Sequence, residues 1–481
     1  MHPVDPSIIT DGSTFINMYG LIFTLLMGVL VVILPRRFAM LPVLALIFYM
    51  TMGMRVMVGG LNFTMIRILL LFAWTRLLVR GEFRRINLNV LDKMIIVCQV
   101  SGMIAYFLLW QTSDALKWKL GESYNALGMY FFFRFLLRDK DDIVQTLKMA
   151  VVLILPLAGA MLLEQSTGRN PFALFGGVPD STFIRDGRLR CEGPFAHPIL
   201  AGTFGATLMP LFVGLWQYLG SKRLYVIPGI LATVVITLTS ASSGPLLTFL
   251  LAIVALAMWS LRLRMRRVRW GIVGGIILLQ LVMKPPVWYV LAKVDIVNGS
   301  TGYHRALLID RAIANFSDWW LVGTKSTAAW SNADDHLFDV TNSYILAGAN
   351  GGLITMILFT AIIVLAFKAL GRTVRLSEGR QSKQEVQLLW ALGAALFAHA
   401  VTFMSVSYFD QNFVNWFMLL AFISTTCGPS LLLRRPEFLA QMVERTSTAT
   451  RAPTLEGATR TSIRDTRLGI RQRRTTQRTE A

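Results

Sequence analysis

The chain has 481 residues, and its 47 Lys and Arg against 27 Asp and Glu give a formal net charge of +20. Hydrophobic residues make up 54% of it and charged residues only 15%, well below the roughly 25% typical of soluble domains. This combination excludes a soluble enzyme, a disordered protein and an ordinary nucleic-acid-binding domain. It is typical of an all-α, polytopic integral membrane protein whose few charges are sorted by side.

Apolar segments long enough to cross a bilayer recur along the whole chain. A spanning helix needs roughly 20 mainly apolar residues. The sequence predicts 12 or 13 spans, at 15–34, 38–54, 61–79, 90–110, 123–138, 141–163, 197–218, 224–241, 245–261, 270–290, 342–367, 388–408 and 412–433. No Lys or Arg precedes the first segment and no small-residue cleavage site follows it, so we expect an uncleaved span rather than a signal peptide.

Basic residues cluster in every second connection between these segments. The clusters begin with Arg36 and Arg37 and include Arg76, the stretch 262–269 and the C-terminal tail. Under the positive-inside rule these connections and the C-terminus are cytoplasmic. The other connections, among them the two longest, are then external.

The segments divide the chain into six parts. We expect N-terminal transmembrane helices over 1–163, an external loop with an Arg cluster over 164–196, central helices over 197–290, a large external loop over 291–341, C-terminal helices over 342–433 and a disordered cytoplasmic tail over 434–481. The tail carries 11 Arg and five acids with few apolar residues, a composition that cannot form a core. Either the anionic inner leaflet is its partner or it acts only as an orientation signal.

Two negative observations limit the chemistry. Cys98, Cys191 and Cys427 have no disulfide or zinc-site spacing, so we expect them to be small packing residues. The sequence contains no Walker, HExxH, CxxC or Gly-x-Ser-x-Gly motif, which argues against ATP coupling, zinc or serine hydrolysis. No metal or other cofactor is expected.

Several arginines break the sidedness rule because they lie in the two long external loops. They include Arg185, Arg188, Arg190, Arg305 and Arg311. A guanidinium group matches phosphate oxygens bidentately, so the arrangement predicts an anionic ligand. Solvation or pairing with a carboxylate is the alternative for each of them.

The segment from Arg190 to Phe212 runs from the first long loop into a span. Pro198 can occupy the first turn of the next helix, whose N-terminus would add partial positive charge beside Arg190. The segment therefore predicts a pyrophosphate-binding site at the outer membrane–water interface. After the second long loop, Asn342 can cap a helix that re-enters the bilayer.

A set of motifs in this region resembles a known family. Arg190 begins Arg-x-x-Gly-Pro-Phe-x-His-Pro, the second loop holds Gly-x-x-Arg ending at Arg305, and Asn342 begins Asn-Ser-Tyr-Ile with Gly351-Gly352 downstream. In their order, sidedness and spacing these motifs resemble the O-antigen ligase/polymerase superfamily of bacterial inner-membrane glycosyltransferases. The resemblance covers 190–360 by motif, and the rest of the chain by span count and loop placement.

The resemblance implies a metal-independent glycosyltransferase of the bacterial inner membrane with periplasmic catalytic loops. Its donor would be a glycan on undecaprenyl diphosphate, its acceptor a second glycan, and its product a polymer of exopolysaccharide or O-antigen repeat units. Arg190 and Arg305 match the family arginines that hold the departing diphosphate, and Arg188 and Arg67 are further candidates. A chain-length regulator and a flippase are candidate protein partners.

The sequence departs from the family pattern at two places. Ligases usually have His directly before the Asn of the loop-to-helix junction, where this chain has Thr341. His336 is our first candidate for the general base, because an imidazole titrates near neutral pH, and Asp339 is the second. The other departure is Ser242-Ser243-Gly244, where relatives often carry Ser-Arg-Gly.

Other polar residues have two interpretations each. Arg67 lies inside the third apolar segment, where it is either a third phosphate ligand or a side chain that snorkels to the outer interface. His197 and Asn342 either contact the acceptor or are structural. We expect His399 to be buried with its polar atoms satisfied, and Asp410 to be exposed.

The tryptophans of the second long loop, Trp319, Trp320 and Trp330, either stack on sugars or anchor the loop at the lipid interface, and anchoring is favoured.

Two other functions stay open. A ligase would move a finished glycan to lipid A-core or to a protein. A polysaccharide or lipid-linked sugar transporter would place its binding groups near the bilayer midplane, often in internally repeated halves. The arginines on the disfavoured side instead cluster in the external loops, and no internal repeat is evident.

Overall fold

Helices dominate the structure, as the alternation of apolar segments and polar connections predicts. The computed structural model describes residues 14–82, 86–293, 302–330 and 340–431. Helices make up 77% of the described residues. The candidate bases His336 and Asp339 and the tail 434–481 lie outside these ranges.

Each of the predicted segments overlaps at least one helix. In chain order the helices up to the second long loop are α1 (Met18–Ile33), α2 (Met40–Tyr49), α3 (Met65–Arg80), α4 (Val90–Trp110), α5 (Ser113–Leu136), α6 (Lys140–Thr167), α7 (Pro198–Tyr218), α8 (Ile227–Thr239), α9 (Ser243–Ala257) and α10 (Met265–Val282). The later ones are α11 (Val290–Lys293), α12 (Gly302–Ala314), α13 (Phe316–Trp319), α14 (Ser343–Ser377), α15 (Lys383–Thr402), α16 (Gln411–Thr426) and α17 (Gly428–Leu431). Short 3-10 helices occupy Arg36–Phe38, Pro171–Phe175, Gly220–Val226, Met258–Arg264, Val287–Tyr289 and Ala328–Trp330.

Two antiparallel hairpins complete the described secondary structure. Strands β1 (Arg55–Val58) and β2 (Leu61–Thr64) form the first, and β3 (Phe183–Arg185) and β4 (Arg188–Arg190) form the second. Both hairpins lie in connections between helices.

Six helices of the described chain are long and apolar enough to cross a membrane. They are α4, α6, α7, the continuous stretch Ser243–Val282, α14 and α15. The prediction of an all-α polytopic membrane protein is thereby confirmed. The further spans in the predicted count of 12 or 13 stay predictions, because helices such as α1 and α2 are shorter.

Contacts between helix ends sort the connections into two ends of the helix bundle. At one end, Arg36 pairs with Asp142 at 2.8 Å and Arg262 pairs with Glu378 at 2.5 Å. We name this the basic end. At the opposite end, here the loop end, the Gln411 side chain donates to the carbonyl groups of Met50 at 2.9 Å and Pro194 at 3.0 Å.

One arginine assigned to the cytoplasmic connections is inside the protein instead. Arg76 lies in α3 with no exposed surface, and both Nε and Nη2 bind the Glu82 carboxylate at 2.9 Å. Its Nη1 donates to the carbonyl groups of Val31 and Leu34, each at 2.6 Å. The residue is therefore a structural tie between α1 and α3, and the prediction of a connection arginine is wrong here.

Helix α14 is broken at Gly352, where φ is 73°. The carbonyl group of Ala349 accepts from the backbone of Thr324 at 2.8 Å, and Leu353 donates to the carbonyl group of Trp320 at 2.7 Å. A Cβ atom on Gly352 would lie 2.3 Å from the carbonyl oxygen of Leu321, so a side chain does not fit. The second long loop is thus docked into a break in a membrane helix.

The described part of the second long loop has a small hydrophobic core of its own. Trp319 and Trp330 are 5% and 3% exposed and pack with Leu308 of α12 and Ile345 of α14. The interpretation of these two tryptophans as lipid anchors is wrong, because their rings are used for packing. Trp320 is 46% exposed.

Candidate functional site

The first long loop presents its arginines on a tight hairpin. Asp186 and Gly187 have φ angles of 51° and 71°, which turn β3 into β4 within two residues. The register pairs Arg185 with Arg188 and Phe183 with Arg190. The Arg190 guanidinium lies 5.7 Å from the centre of the Phe183 ring, so the strand pairing fixes its direction.

Arg190 reaches the turn that joins α8 to α9. Its Nη2 donates to the Ser242 hydroxyl at 2.6 Å, and the next residue, Cys191, donates its backbone N–H to the carbonyl group of Thr239 at 3.0 Å. Ser242 precedes α9 in the N-cap position but makes no cap bond, because its hydroxyl donates to the Ser240 carbonyl at 2.9 Å. The Ser242 hydroxyl therefore serves Arg190 and the turn, and does not cap the first turn of α9.

The backbone of this turn is strained. Ala241 has a φ of 43°, a left-handed conformation that residues with a Cβ atom seldom adopt. This conformation places Ser242, at the start of α9, within hydrogen-bond distance of Arg190. The sequence predicts the N-terminus of α7 beside Arg190, whereas the described hydrogen bond leads to the N-terminus of α9.

Arg305 comes to the same turn from the second long loop. A Cβ atom on Gly244 would lie 3.7 Å from Nη2 of Arg305, and both residues line a small cavity of about 40 Å³ with Ser243, Met404 and Ser405. Arg190 and Arg305, which are more than 100 residues apart in the sequence, thus reach Ser242 and Gly244 at one helix start. We name Arg190, Arg305 and the turn 240–244 the arginine site.

The electrostatics of the arginine site are unfavourable without a ligand. Burial lowers the pKa of Arg190, which is 8% exposed, and the positive charge of Arg185 lowers it further. The pKa of Arg305 is lowered by the same two causes in the same order. The Nε atoms of both arginines are buried without a hydrogen-bond partner. A desolvated pair of guanidinium groups in this state is suited to an anion that supplies several oxygens.

A larger cavity of about 660 Å³ adjoins the arginine site. Ser242, Thr239, Arg188 and Gln165 are among the residues that line it. Arg188 is exposed, so it reaches this space from the hairpin. The cavity gives a bulky anionic group room beside Arg190.

The loop that follows Arg190 is fixed to α6. The Glu164 carboxylate accepts the backbone N–H groups of Glu192 at 3.1 Å and Gly193 at 2.9 Å. Glu192 is 5% exposed, and burial, followed by the charge of Glu164, raises the pKa of Glu192 to about 7. These bonds hold the base of the hairpin and therefore the position of Arg190.

Asp410 holds the other side of the same loop. Its carboxylate accepts the backbone N–H of Ala196 at 3.2 Å and caps α16 through Asn412 at 3.3 Å. The expectation that Asp410 is exposed is wrong, because only 3% of it is accessible. Burial raises its pKa to about 6.

Three polar residues singled out in the sequence make structural hydrogen bonds, which was one of the interpretations given for each. His197 is exposed and caps α7, its Nδ1 accepting the N–H of Ile199 at 3.1 Å. Asn342 caps α14 through the N–H groups of Tyr344 and Ile345, at 2.9 and 3.1 Å. His399 is 1% exposed and its Nδ1 is 2.8 Å from the Tyr408 hydroxyl, which confirms a buried and satisfied imidazole.

Arg67 lies apart from the arginine site. Its Nε donates to Asn125 of α5 at 3.1 Å, Nη1 donates to the carbonyl group of Asn62, and Gly121 leaves room for the guanidinium. Among the described contacts, none joins Arg67 to Arg190 or Arg305. The structure therefore brings together two of the predicted phosphate ligands, with Arg188 on the adjoining cavity, and leaves Arg67 elsewhere.

Sequence reasoning missed Ser242 as the partner of Arg190. The available signal was the departure from the family pattern at Ser242-Ser243-Gly244, whose meaning depends on contacts with two distant loops. The three cysteines are buried and free, as their spacing predicts. Within the described ranges, no group of His, Cys, Asp and Glu is arranged to hold a metal ion.

The fold and the arginine site define a polytopic membrane protein with a desolvated cationic pocket at one end of its helices. No protein-family model matches the chain, and no curated protein matches it.

Proposed function

We propose that the protein is a membrane glycosyltransferase that polymerises glycan repeat units carried on a lipid diphosphate. The observation that carries the proposal is the meeting of Arg190 and Arg305 at the start of α9. Both guanidinium groups have lost water and have an unpartnered Nε, so a diphosphate would recover hydrogen bonds that the described fold does not provide. The proposed setting is the bacterial inner membrane, with the loop end periplasmic.

The reaction would be a direct displacement at the anomeric carbon of the donor sugar. The acceptor hydroxyl oxygen forms a bond to that carbon while the bond from the carbon to the diphosphate oxygen breaks. The electron pair and the negative charge go to the leaving diphosphate, where Arg190 and Arg305 stabilise them. Preorganised cationic donors of this kind are often the largest single contribution to a rate enhancement.

The acceptor hydroxyl must also lose a proton. His336 is the first candidate to take it and Asp339 the second, since both precede the loop-to-helix junction at Asn342 in the sequence. An imidazole suits proton transfer near neutral pH. Neither residue is among those described, so their roles rest on the sequence.

A polysaccharide-producing strain that depends on this protein provides the test. Arg190→Ala and Arg305→Ala are each expected to reduce polymer yield by about 100-fold or more, the usual cost of removing one charge-stabilising donor. Single repeat units should accumulate on the lipid. Arg169→Ala is the matched control, because Arg169 is an exposed arginine of the same loop.

Protein abundance in the membrane is compared by immunoblot for all three variants. Normal polymer from either site variant at normal abundance would refute the proposal. Accumulation of long lipid-linked polymer instead of single units would identify a ligase, and loss of lipid-linked glycan from the outer leaflet would identify a transporter.

A further inference from the structure

A second cavity lies within the helix bundle, between α4, α5, α14 and α16. Its volume is about 160 Å³. Ser343, at the start of α14, and Tyr408, just before α16, place it towards the loop end. Neither Arg190 nor Arg305 lines it, so it is separate from the arginine site.

Polar groups on two helices face this cavity. Lys119 is buried and binds Glu122 at 2.6 Å, and its Nζ lies 4.9 Å from the ring centres of both Tyr106 and Trp118. The Glu122 side chain is 41% exposed, so its carboxylate is accessible beside a fixed ammonium group. The pair offers a hydrogen-bond donor and acceptor without net charge.

Asn350 contributes from the opposite wall. Its Oδ1 is buried and has no hydrogen-bond partner in the described structure. An unsatisfied buried acceptor is unfavourable, so a donor from outside the protein is expected there. Asn350 lies just before the break in α14, where the helix is shaped by its contact with the second long loop.

Aromatic rings form much of the remaining wall. Phe403 and Trp416 are in edge-to-face contact at 5.0 Å, and Phe413 and Phe417 line the same space. Rings next to neutral donor and acceptor groups are suited to a sugar, whose C–H face packs on an aromatic surface while its hydroxyls donate and accept. An isoprenoid chain would leave the polar groups unpaired, and a diphosphate would meet an ammonium already neutralised by Glu122.

One connector separates the two sites. Phe403 and Tyr408 line the second cavity, whereas Met404 and Ser405 line the cavity of Arg305. The connector is bonded to the start of α14, since Ser343 donates its N–H to the carbonyl group of Phe403 at 2.8 Å. Asn342 likewise donates to the carbonyl group of Met404 at 3.2 Å. The two cavities therefore lie on either side of one fixed connector, so a ring held in the second cavity is remote from the acceptor hydroxyl that reacts.

We infer that the second cavity binds a neutral sugar ring of the acceptor glycan, held by Glu122, Lys119 and Asn350. The assignment of this sugar to the acceptor glycan rests on the proposed function. Binding of the saccharide itself does not depend on transfer and can be measured alone.

Purified full-length protein in lipid nanodiscs is used for both measurements. The donor is the lipid-linked repeat unit extracted from a deletion strain, and the acceptor probe is the soluble repeat unit released from the same lipid by mild acid. Asn350→Ala and Glu122→Gln are expected to raise the probe concentration for half-maximal elongation about tenfold, or about 1.4 kcal/mol. The half-saturating concentration of the donor should not change.

Calorimetric titration with the soluble repeat unit gives the second readout. Binding should be weakened in Asn350→Ala and Glu122→Gln and unchanged in Lys117→Met, which alters an exposed ion pair on the same helix. The use of two variants controls for misfolding of either one. Asn350→Ala removes no described hydrogen bond of the Oδ1 atom, so this variant is expected to fold.

The outcomes separate the two proposals. Unchanged probe binding and unchanged elongation in both cavity variants, with Arg305→Ala inactive, would overturn the second site alone. Full activity of Arg190→Ala and Arg305→Ala together with weakened probe binding in Asn350→Ala would overturn the proposed function and support a saccharide site.

Discussion

Arg76 and Arg190 are both buried arginines, and the fold treats their charges differently. Arg76 has two hydrogen bonds to Glu82 and two to backbone carbonyl groups. Arg190 has one described hydrogen bond, to Ser242, and an Nε without a partner. A guanidinium group cannot lose its proton in a protein, so it needs a partner. Where the described fold provides none, the partner is expected to be a ligand.

The largest expected effect concerns the paired arginine. Glu82→Ala leaves the Arg76 charge buried and uncompensated, so we expect a loss of about 3–5 kcal/mol in the free energy of unfolding. Thermal unfolding in detergent measures it, with Asp114→Ala, which breaks the exposed pair with Lys117, as a control worth at most about 1 kcal/mol. Arg190→Met should not lower the unfolding temperature. A destabilised Arg190→Met protein would remove the contrast between the two arginines.

Glu192 provides an intermediate case, because a buried carboxyl group can neutralise itself by taking a proton. Its folded pKa of about 7 lies above the ordinary glutamate pKa of 4.5, so between these pH values the folded state binds more protons than the unfolded state. Stability contributed by this group is present below about pH 4.5 and declines as the pH rises towards 7. The shift corresponds to about 3 kcal/mol.

We therefore expect Glu192→Gln to flatten the pH dependence of the unfolding temperature between about pH 4.5 and 7. The Asp410 pKa of about 6 acts in the same direction, so part of the slope should persist in the variant. An unaltered slope would show that Glu192 is not the titrating group. Unfolding measured at several pH values in one detergent gives the answer.

The unpaired arginines predict stabilisation by an anion. Inorganic pyrophosphate should raise the unfolding temperature of the wild-type protein, because it adds about 2.7 kcal/mol to the free energy of unfolding when its concentration is 100 times Kd. Arg190→Ala and Arg305→Ala should each abolish the effect, and Arg169→Ala should keep it. An equal shift in all variants would assign the anion to another place.

The smallest expected effect is at Ser242, a positioning residue. Ser242→Ala removes the hydroxyl that holds Arg190 and leaves the guanidinium in place. A hydrogen bond to a charged group contributes about 1.5–3 kcal/mol, so pyrophosphate binding should weaken by about tenfold or somewhat more. Ser242→Thr retains the hydroxyl and should restore most of the affinity. A fully active Ser242→Ala protein would show that β3 and β4 alone position Arg190.

The sequence predicted the helices well because span length and apolar character are local properties. Charge sidedness also marked the external arginines, because an arginine on the disfavoured side is visible in the sequence, and the family-like motifs then singled out Arg190 and Arg305. Their meeting at α9 was not predictable, since it depends on the conformation of the β3–β4 hairpin and on that of the second long loop. Arg76 and Asp410 were misjudged for the same reason: burial of a charge depends on partners that only the folded chain brings near.

The break in α14 has a consequence for how the two proposed binding sites move. Asn350 lies on the short half of α14 before Gly352, and the segment 320–324 that follows the Arg305 helix is bonded across the same break. A tilt of this half-helix would shift the sugar cavity and the Arg305 loop together. Gly352 is therefore the point through which a shift of the half-helix would reach both proposed sites.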